Sequence, residues 1–442
     1  MVQHLSRLMA CALLASFAAS GQSDETSVDA NQRIDTIRNL GKRDYTVIPT
    51  IAQYLKDPSR DVRIEAIKAI VRIDTVHSLD ALVEATRDHD AEAQIRATDG
   101  IVNAYLPGYV AKSGLTGSAT RGVRQVKSFF SSRNYQVVDA DLTIRPDVAQ
   151  ALGDEIRGGA GLDAKANAAR AAGILRAGPA VPALVQASHS KDSELIFECL
   201  VALQKIHDTS AGPGIGFLAR DLDERIQVTA LETIGVLRSL PSAPDVRSAL
   251  THARDTRIRR AALEALAMLA IPDDRGTFQK YAQNDDAGLR AAALEGLGRI
   301  REPEDYPALE AAYNEKDADW RIHLAAAFAL VNEGKVDTSE FSPLPYLVET
   351  LNSGSRAYAA NAYLVELARR KDVRDSLVKL LPETTKEQKI ALCSVFGKSQ
   401  ADDAVPILNG LTKDMDPDVA FAASRALRII QARRPPEKTA GS

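Results

Sequence analysis

Three glutamates, Glu232, Glu264 and Glu295, recur at intervals of 31 to 32 residues and form the most suggestive chemical pattern in this 442-residue chain. Each lies six positions after an apolar residue that begins the buried face of a predicted helix. At about 100° per residue, this position is opposite the predicted core. Neighbouring helices in a stack lie roughly 10 Å apart, too far for carboxylates on consecutive helices to share a metal ion or a proton. The pattern indicates an exposed acidic strip that binds a basic peptide or partner protein, or else an ordinary solvated helix face.

A second charged segment, residues 107–138, contains basic side chains and no acidic residue. Arg121, Arg124 and Lys127 are placed so that the apolar side chains of residues 123–130 lie on the opposite side of a short amphipathic helix. Long insertions in repeat arrays are often functional, and such a helix can contact a partner protein or an anionic lipid surface. The alternative is an irregular repeat whose two phenylalanines pack back onto the array.

Residue patterns typical of catalysis are missing from the sequence. None of the seven histidines has a second histidine three or four positions away, and the three cysteines form no Cys-x-x-Cys pair. Phosphate-binding and dinucleotide-binding glycine motifs and the Gly-x-Ser-x-Gly motif are likewise absent. We therefore predict a protein with no catalytic residues, no cofactor and no metal site, and with no evident small-molecule substrate.

The N-terminus and the net charge restrict the cellular setting. Arg7 precedes an apolar run from Leu8 to Ala19 that is followed by small residues, so residues 1–21 are predicted to be a signal peptide. Cys11 precedes most of this run, which disfavours a lipoprotein signal. A formal net charge of −4 is atypical of nucleic-acid-binding proteins, which usually carry a strongly basic face. We expect a periplasmic or secreted protein.

The elements that position these charges are helices that begin every 31 to 33 residues over most of the chain. In each unit an N-cap-type residue precedes an apolar anchor by three positions, and further buried positions follow four and eight residues after the anchor. The predicted cap and anchor pairs are Ser59/Val62, Asp192/Leu195, Asp223/Ile226, Asp255/Ile258, Asp286/Leu289, Asp317/Trp320 and Asp416/Val419. A less regular unit has Ile95 as its anchor and Glu92 as its cap. A fixed period of this length is typical of an array in which no unit buries its apolar face alone.

Arginine follows the anchor in five units, within the predicted apolar face. These residues are Arg63, Arg96, Arg259, Arg290 and Arg321. A charge in that position must be paired, or must extend along its own apolar stem to water. We predict a ladder in which each arginine reaches a capping aspartate or helix-end carbonyls of a neighbouring repeat; the alternative is an arginine track that binds a ligand. Trp320, Cys199 and Cys393 are predicted to be buried.

The repeat resembles a known family. The segments Asp255–Ala267 (DTRIRRAALEALA) and Asp286–Gly298 (DAGLRAAALEGLG) resemble HEAT repeats, and more narrowly the bacterial HEAT-like repeats named after phycobilisome lyases. The resemblance implies an all-α fold, a right-handed α–α solenoid of about ten or eleven helical hairpins. The expected organisation is a signal peptide at 1–21, a leader and first capping helix at 22–44, repeats at 45–106, the basic insertion at 107–138, repeats at 139–431, and a disordered tail at 432–442.

The function predicted from these features is protein–protein interaction. We expect an exported, non-enzymatic scaffold that binds a protein partner through an extended curved surface, with Glu232, Glu264, Glu295, Arg121, Arg124 and Lys127 as the candidate binding residues. One alternative, implied by the resemblance, is an enzyme or enzyme subunit of the phycobilin-lyase-like class. The other is a peripheral membrane-associated protein that uses the basic insertion.

Overall fold

The computed structural model of the chain describes residues 29–73, 76–110, 136–399 and 401–432. These residues form two compact units: the first holds those up to Val138 together with Ile144–Asp208, and the second holds Asp139–Thr143 and those from Thr209 onward. The predicted signal peptide at 1–21, the tail from 433 and most of the basic insertion lie outside the described residues. Arg121, Arg124 and Lys127 are among the residues not described.

The first unit is built from helices joined by short turns. Its α-helices are α1 (29–40), α2 (Ile48–Ala52), α3 (Arg60–Ile73), α4 (Leu79–Ala85), α5 (Ala91–Tyr105), α6 (Pro146–Gly158), α7 (Leu162–Ile174), α8 (Val181–Ala187) and α9 (Ser193–Ile206). After α1 they form antiparallel pairs in which the first helix is usually short and the second is longer. The longer helices stack in sequence, with α7 packed between α5 and α9.

The second unit repeats this arrangement. Its α-helices are α10 (Gly212–Ile215), α11 (Glu224–Val236), α12 (Ala243–His252), α13 (Thr256–Leu269), α14 (Arg275–Tyr281), α15 (Ala287–Ile300), α16 (Tyr306–Asn314), α17 (Trp320–Glu333), α18 (Pro343–Thr350), α19 (Ala357–Leu367), α20 (Lys371–Leu380), α21 (Lys386–Lys398), α22 (Val405–Leu411) and α23 (Pro417–Ala432). The described residues of both units contain eleven helical pairs and no β-strand. The predicted all-α solenoid of helical hairpins is confirmed.

The core is formed by small and branched side chains that let the longer helices approach closely. Ala230, Ala262 and Ala293, four positions after their anchors, are completely buried. A Cβ atom at Gly298 would lie 2.5 Å from Ala329 Cα on the next helix, closer than real Cβ contacts. Because helices at this separation exclude larger side chains, the alanine and glycine content of the repeat is a packing requirement. Cys199 and Cys393 are buried free thiols, as predicted.

Five of the predicted N-caps hold in the structure. Asp192, Asp223, Asp255, Asp286 and Asp416 each accept a hydrogen bond from a backbone N–H in the first turn of the following helix. These bonds satisfy donors that have no partner within the helix. The repeating aspartate is therefore the signal that determines where each of these longer helices begins.

Two other caps lie two residues from their predicted positions. Helix α5 is capped by Asp90, which accepts a hydrogen bond from the Ala93 N–H, and Glu92 is not the cap because the shorter aspartate fits the N-cap geometry. Helix α17 is capped by Asp319 instead of Asp317. As a result Trp320 is the first helical residue and does not occupy the anchor position; it is partly buried and packs against the edge of the core. The guanidinium groups of Arg321 and Arg356 lie 5.0 and 5.4 Å from its ring centre.

Replacing Asp319 with alanine should destabilise the second unit by about 1 kcal/mol, because the Arg321 N–H loses its acceptor, an oxygen 2.9 Å away. The matched control is Asp317→Ala, which removes an exposed aspartate two residues earlier and should change the free energy of unfolding by less than about 0.5 kcal/mol. Urea denaturation followed by circular dichroism measures both. Equal effects of the two substitutions would contradict the assigned helix start.

The predicted arginine ladder is present at two of its five positions. Arg63 donates hydrogen bonds to the Asp57 carbonyl, at the end of its hairpin's first helix, and to Asp88 in the following repeat. Arg290 likewise contacts the Ala282 carbonyl and Glu315. The other three arginines donate hydrogen bonds to residues of their own helix or its cap. Arg96 donates to Glu92, Arg259 to Thr256 and Arg321 to Asp319. For Arg96 and Arg321 the shifted caps explain the difference, because neither residue follows the true anchor.

Candidate functional site

The three glutamates of the predicted strip lie on consecutive longer helices of the second unit. Glu232 is on α11, Glu264 on α13 and Glu295 on α15. Glu232 and Glu264 are exposed, as predicted, but Glu295 is only 9% exposed. With the corrected start of α17, the equivalent position on the next helix is Phe328, which is completely buried. The strip is therefore open at its beginning and covered at its end.

A cluster of hydrogen bonds and ion pairs covers Glu295. Arg299, one turn along α15, donates to Glu295 Oε1 through Nε at 2.9 Å, and the Tyr363 hydroxyl donates to Glu295 Oε2 at 2.6 Å. The ring of Tyr363 stacks on Phe328, with ring centres 4.4 Å apart, and the Arg299 guanidinium lies over the Phe328 ring, 4.8 Å from its centre. Both carboxylate oxygens of Glu295 are thus occupied, and this residue is not free to bind a partner.

Helix α19 is the element that covers this end of the strip. Besides Tyr363 it carries Glu366, whose Oε1 accepts hydrogen bonds from Arg299 Nη1 at 2.5 Å and from Arg238 Nη2 at 2.7 Å. Arg238 follows the end of α11 and has a left-handed backbone, with φ of 50°. The contact joins residues 128 positions apart. Helical periodicity reports only which residues share a face of one helix, so it cannot predict that a later helix covers that face.

Charges within the cluster set the pKa values of its members. Burial would raise the pKa of Glu366, but the nearby cations Arg299 and Arg238 hold it below the ordinary value. Burial, together with the Glu295 carboxylate, raises the pKa of the Tyr363 hydroxyl well above 10, so it remains a hydrogen-bond donor at physiological pH. The cluster is a satisfied structural network that fixes α19 against α15.

Glu232 and Glu264 differ from Glu295 because no residue that the structure describes forms a hydrogen bond or ion pair with either carboxylate. Although both side chains are exposed, surrounding protein atoms desolvate them enough to raise both pKa values. The pKa of Glu264 rises to about 7, first through desolvation and then through the negative charges of Glu295 and Glu232. The charge of Arg260, one turn before Glu264 on α13, opposes this rise, but the Arg260 guanidinium is paired with Asp286. Two carboxylates on adjacent helices favour binding of an ammonium or guanidinium group.

Sequence reasoning did not identify Arg299, Tyr363, Glu366 and Arg238. One local signal was present: Arg299 lies four residues after Glu295, the spacing of an ion pair on one helix face. The other partners are 57 to 71 residues from Glu295 and lie where the repeat is least regular, so no local pattern connects them. The predicted basic residues Arg121, Arg124 and Lys127 cannot be placed relative to this site, since they are outside the described residues.

The described residues also show what kinds of chemistry the folded units offer. They contain no group of three or more histidine, cysteine, aspartate or glutamate side chains arranged to hold a metal ion. Among the same residues, no helix combines the length and the apolar character needed to cross a bilayer. Glu232 on α11 and Glu264 on α13 are the exposed carboxylates of the strip.

Comparison with known families agrees with the repeated architecture. The family model described as HEAT repeats matches residues 25–101 and 243–331, one segment in each unit. The chain therefore contains HEAT repeats in these two segments. The second matched segment includes α13, α15 and α17, and thus Glu264 and Glu295 of the strip. No curated protein sequence matches the chain.

Several solved HEAT-type structures are similar to this protein, all at low TM-scores. The complex of CpcE and CpcF of phycocyanin lyase from Nostoc sp. PCC7120 is 16% identical over 57% of this chain and 94% of that one, with a TM-score of 0.37. Kap121p is 13% identical over 88% of this chain and 46% of its own, with a TM-score of 0.37. Importin beta is 13% identical over 87% and 57%, with a TM-score of 0.38.

Proposed function

We propose that this HEAT-repeat protein is an exported, non-enzymatic scaffold whose second unit binds a basic segment of a partner protein along Glu232 and Glu264. The observation that carries the proposal is the pair of carboxylates on adjacent helices that form no hydrogen bond or ion pair with any described residue, and whose pKa values the surrounding protein raises. Binding a lysine or arginine side chain would offset the repulsion between the carboxylates and compensate for their desolvation with charge-assisted hydrogen bonds. Export is supported by the signal-peptide pattern of residues 1–21.

The geometry suggests how a partner segment would be spaced. Adjacent helices in such a stack lie roughly 10 Å apart, and an extended chain advances about 3.3 to 3.6 Å per residue. A basic residue at every third position therefore matches consecutive helices. Glu295 is not part of the proposed contact, because Arg299 and Tyr363 already occupy its oxygens.

A fluorescent peptide of repeated Lys-Ser-Gly units should bind the mature protein, and a matched Glu-Ser-Gly peptide should not. The double variant Glu232→Gln/Glu264→Gln should weaken Lys-Ser-Gly binding by at least about tenfold in low salt, since charge-assisted contacts are lost. Anisotropy titration measures the affinity. The control variant Glu224→Gln/Glu304→Gln removes the same charge from carboxylates whose side chains are 56% and 70% exposed, and should change the affinity less than twofold.

The pH dependence of peptide binding tests the role of Glu264 independently. Because the pKa of Glu264 is about 7, lowering the pH from 8 to 6 protonates this carboxyl group and should weaken binding by the wild type but not by the double variant. A carboxyl group whose pKa is higher in the folded state than in the unfolded state destabilises the fold. This destabilisation grows as the pH rises from the unfolded-state pKa to the folded-state pKa. The double variant should therefore be at least as heat-stable as the wild type at pH 8. Equal peptide binding by the double and control variants would overturn the proposed contact.

A further inference from the structure

The first unit contains a pocket that is separate from the acidic strip. It has a volume of about 390 Å³ and lies where α4 and α6 end, with Thr86 and Gly159 as the C-cap residues of these helices. Its lining includes Asp88, Gln94 and Glu155. The volume is in the range of pockets that hold small ligands.

Glu155 is the chemically unusual residue of this pocket. It is only 3% exposed, and one carboxyl oxygen, Oε2, accepts a hydrogen bond of 2.7 Å from the Thr98 hydroxyl on α5. The other oxygen, Oε1, is buried and has no hydrogen-bond partner among the described residues. A buried carboxyl oxygen without a partner is unfavourable by about 1–3 kcal/mol and is uncommon in folded proteins.

Two other polar side chains that line the pocket, Gln94 and Asp88, have hydrogen-bond or ion-pair partners, and the exposed Arg87 also lines it. Gln94 donates to the Asp88 carbonyl and accepts from the Ala160 N–H, which uses both ends of its amide. The Gly159 N–H donates to the Glu155 backbone carbonyl. The Asp88 carboxylate is paired with Arg63, which does not line the pocket. What remains available is an acceptor, Glu155 Oε1, near two helix C-termini, which carry partial negative charge.

We propose that this pocket binds a small organic cation, with an ammonium or guanidinium group donating hydrogen bonds to the Glu155 carboxylate. Such a group supplies both the missing donor for Oε1 and the positive charge that helix C-termini favour. The site belongs to the first unit and does not depend on the proposed binding of a basic protein segment by the second unit.

Binding is expected to be coupled to release of a proton. Burial raises the pKa of Glu155 to about 8, the Thr98 hydrogen bond opposes this, and the charge of Asp99 adds to it. The carboxyl group is thus mostly protonated at pH 7 and must ionise to pair with a cation. Affinity should rise with pH up to about 8.

Other charged groups in or near the pocket could also contribute to the pH dependence of binding. Asp154 is paired with Arg157 on the same helix, α6. Arg87 and His89 are exposed, and Lys165 of α7 lies beside Gly159. Helix α8 carries no charged residue. Histidine is the side-chain type whose charge ordinarily changes between about pH 5 and 8. His89→Gln is therefore a needed control for the pH dependence.

Agmatine, which carries an ammonium and a guanidinium group, is the probe, and 1,4-butanediol is the neutral control of similar chain length. Isothermal calorimetry of the mature protein at pH 7, in phosphate and in Tris, should show agmatine binding with release of about one proton. Glu155→Gln keeps the size of the side chain and should reduce affinity at least about tenfold and abolish proton release. Asp163→Asn, which changes an exposed carboxylate on α7 outside the pocket lining, and His89→Gln should retain both affinity and proton release.

The outcomes distinguish the proposal from its alternatives. Glu155→Gln should fold and melt at or above the wild-type temperature at pH 8, because it removes a buried acid with a raised pKa; its melting curve shows that any loss of binding is local. Equal agmatine affinity in the wild type and Glu155→Gln, or binding of butanediol as tight as that of agmatine, would overturn the cation site. Neither result changes the outcome of the Lys-Ser-Gly titration, since the Glu232 and Glu264 carboxylates belong to the other unit.

Discussion

Replacing Arg299 with methionine should lower the free energy of unfolding of the second unit by about 3–5 kcal/mol. The Arg299 side chain is only 6% exposed and pairs with both Glu295 and Glu366. Methionine fills a similar length beside Phe328 but leaves Glu295 buried without a cation. Glu366 keeps Arg238 as a partner, so most of the expected loss comes from Glu295.

Two matched variants make this prediction specific. Arg257→Met removes an arginine that is 72% exposed and paired with Glu224, and it should change stability by less than about 1 kcal/mol. Arg299→Met/Glu295→Gln removes both charges of the buried pair and should recover much of the loss, since no uncompensated carboxylate remains at that position. Urea denaturation followed by circular dichroism measures all three. A loss in Arg299→Met no larger than that in Arg257→Met would show that the cluster does not stabilise the fold.

The effect of Arg299→Met should also depend on pH. Because Arg299 and Arg238 hold the pKa of Glu366 below its ordinary value of 4.5, the stabilisation from this ion pair is present above that value and is lost as pH falls through the folded-state pKa. The difference in stability between the wild type and Arg299→Met should therefore be largest near neutral pH and should shrink in acid.

Ala262→Asp should unfold the repeats around α13, with a loss of several kcal/mol. Ala262 is completely buried, four positions after the anchor Ile258. An aspartate there adds volume to a closely packed interface and buries a charge without a partner. Because each repeat buries its apolar face only against its neighbours, damage to α13 should extend to α11 and α15.

The matched control for this substitution is Ala308→Asp, which places the same side chain at an exposed position in the first turn of α16. A negative charge near a helix N-terminus is neutral or slightly favourable. Hydrogen exchange should show loss of protection in α11, α13 and α15 for Ala262→Asp and little change for Ala308→Asp. Wild-type protection in Ala262→Asp would mean that the +4 positions are not the core of the array.

The predictions that succeeded rest on local rules. An aspartate N-cap, an apolar anchor and small residues at fixed spacing report hydrogen bonding and packing within one hairpin, and these interactions recur in every regular unit. The two misplaced caps, Glu92 and Asp317, lie in units where another aspartate stood two residues away. In both units the fixed spacing predicted the wrong residue as the N-cap; the caps in the structure are Asp90 and Asp319.

The sequence alone determined the helices, their period, the buried alanines and the position of Glu232, Glu264 and Glu295 on one line of successive helices. These properties follow from the 3.6-residue turn and from contacts between adjacent hairpins. Only the tertiary structure decided that Tyr363 and Arg299 occupy Glu295, that Glu264 stays open, and that Glu155 is buried beside a pocket. The reason is physical: the ionisation and availability of a carboxylate depend on the desolvation and charges supplied by every helix around it, including helices far away in the chain.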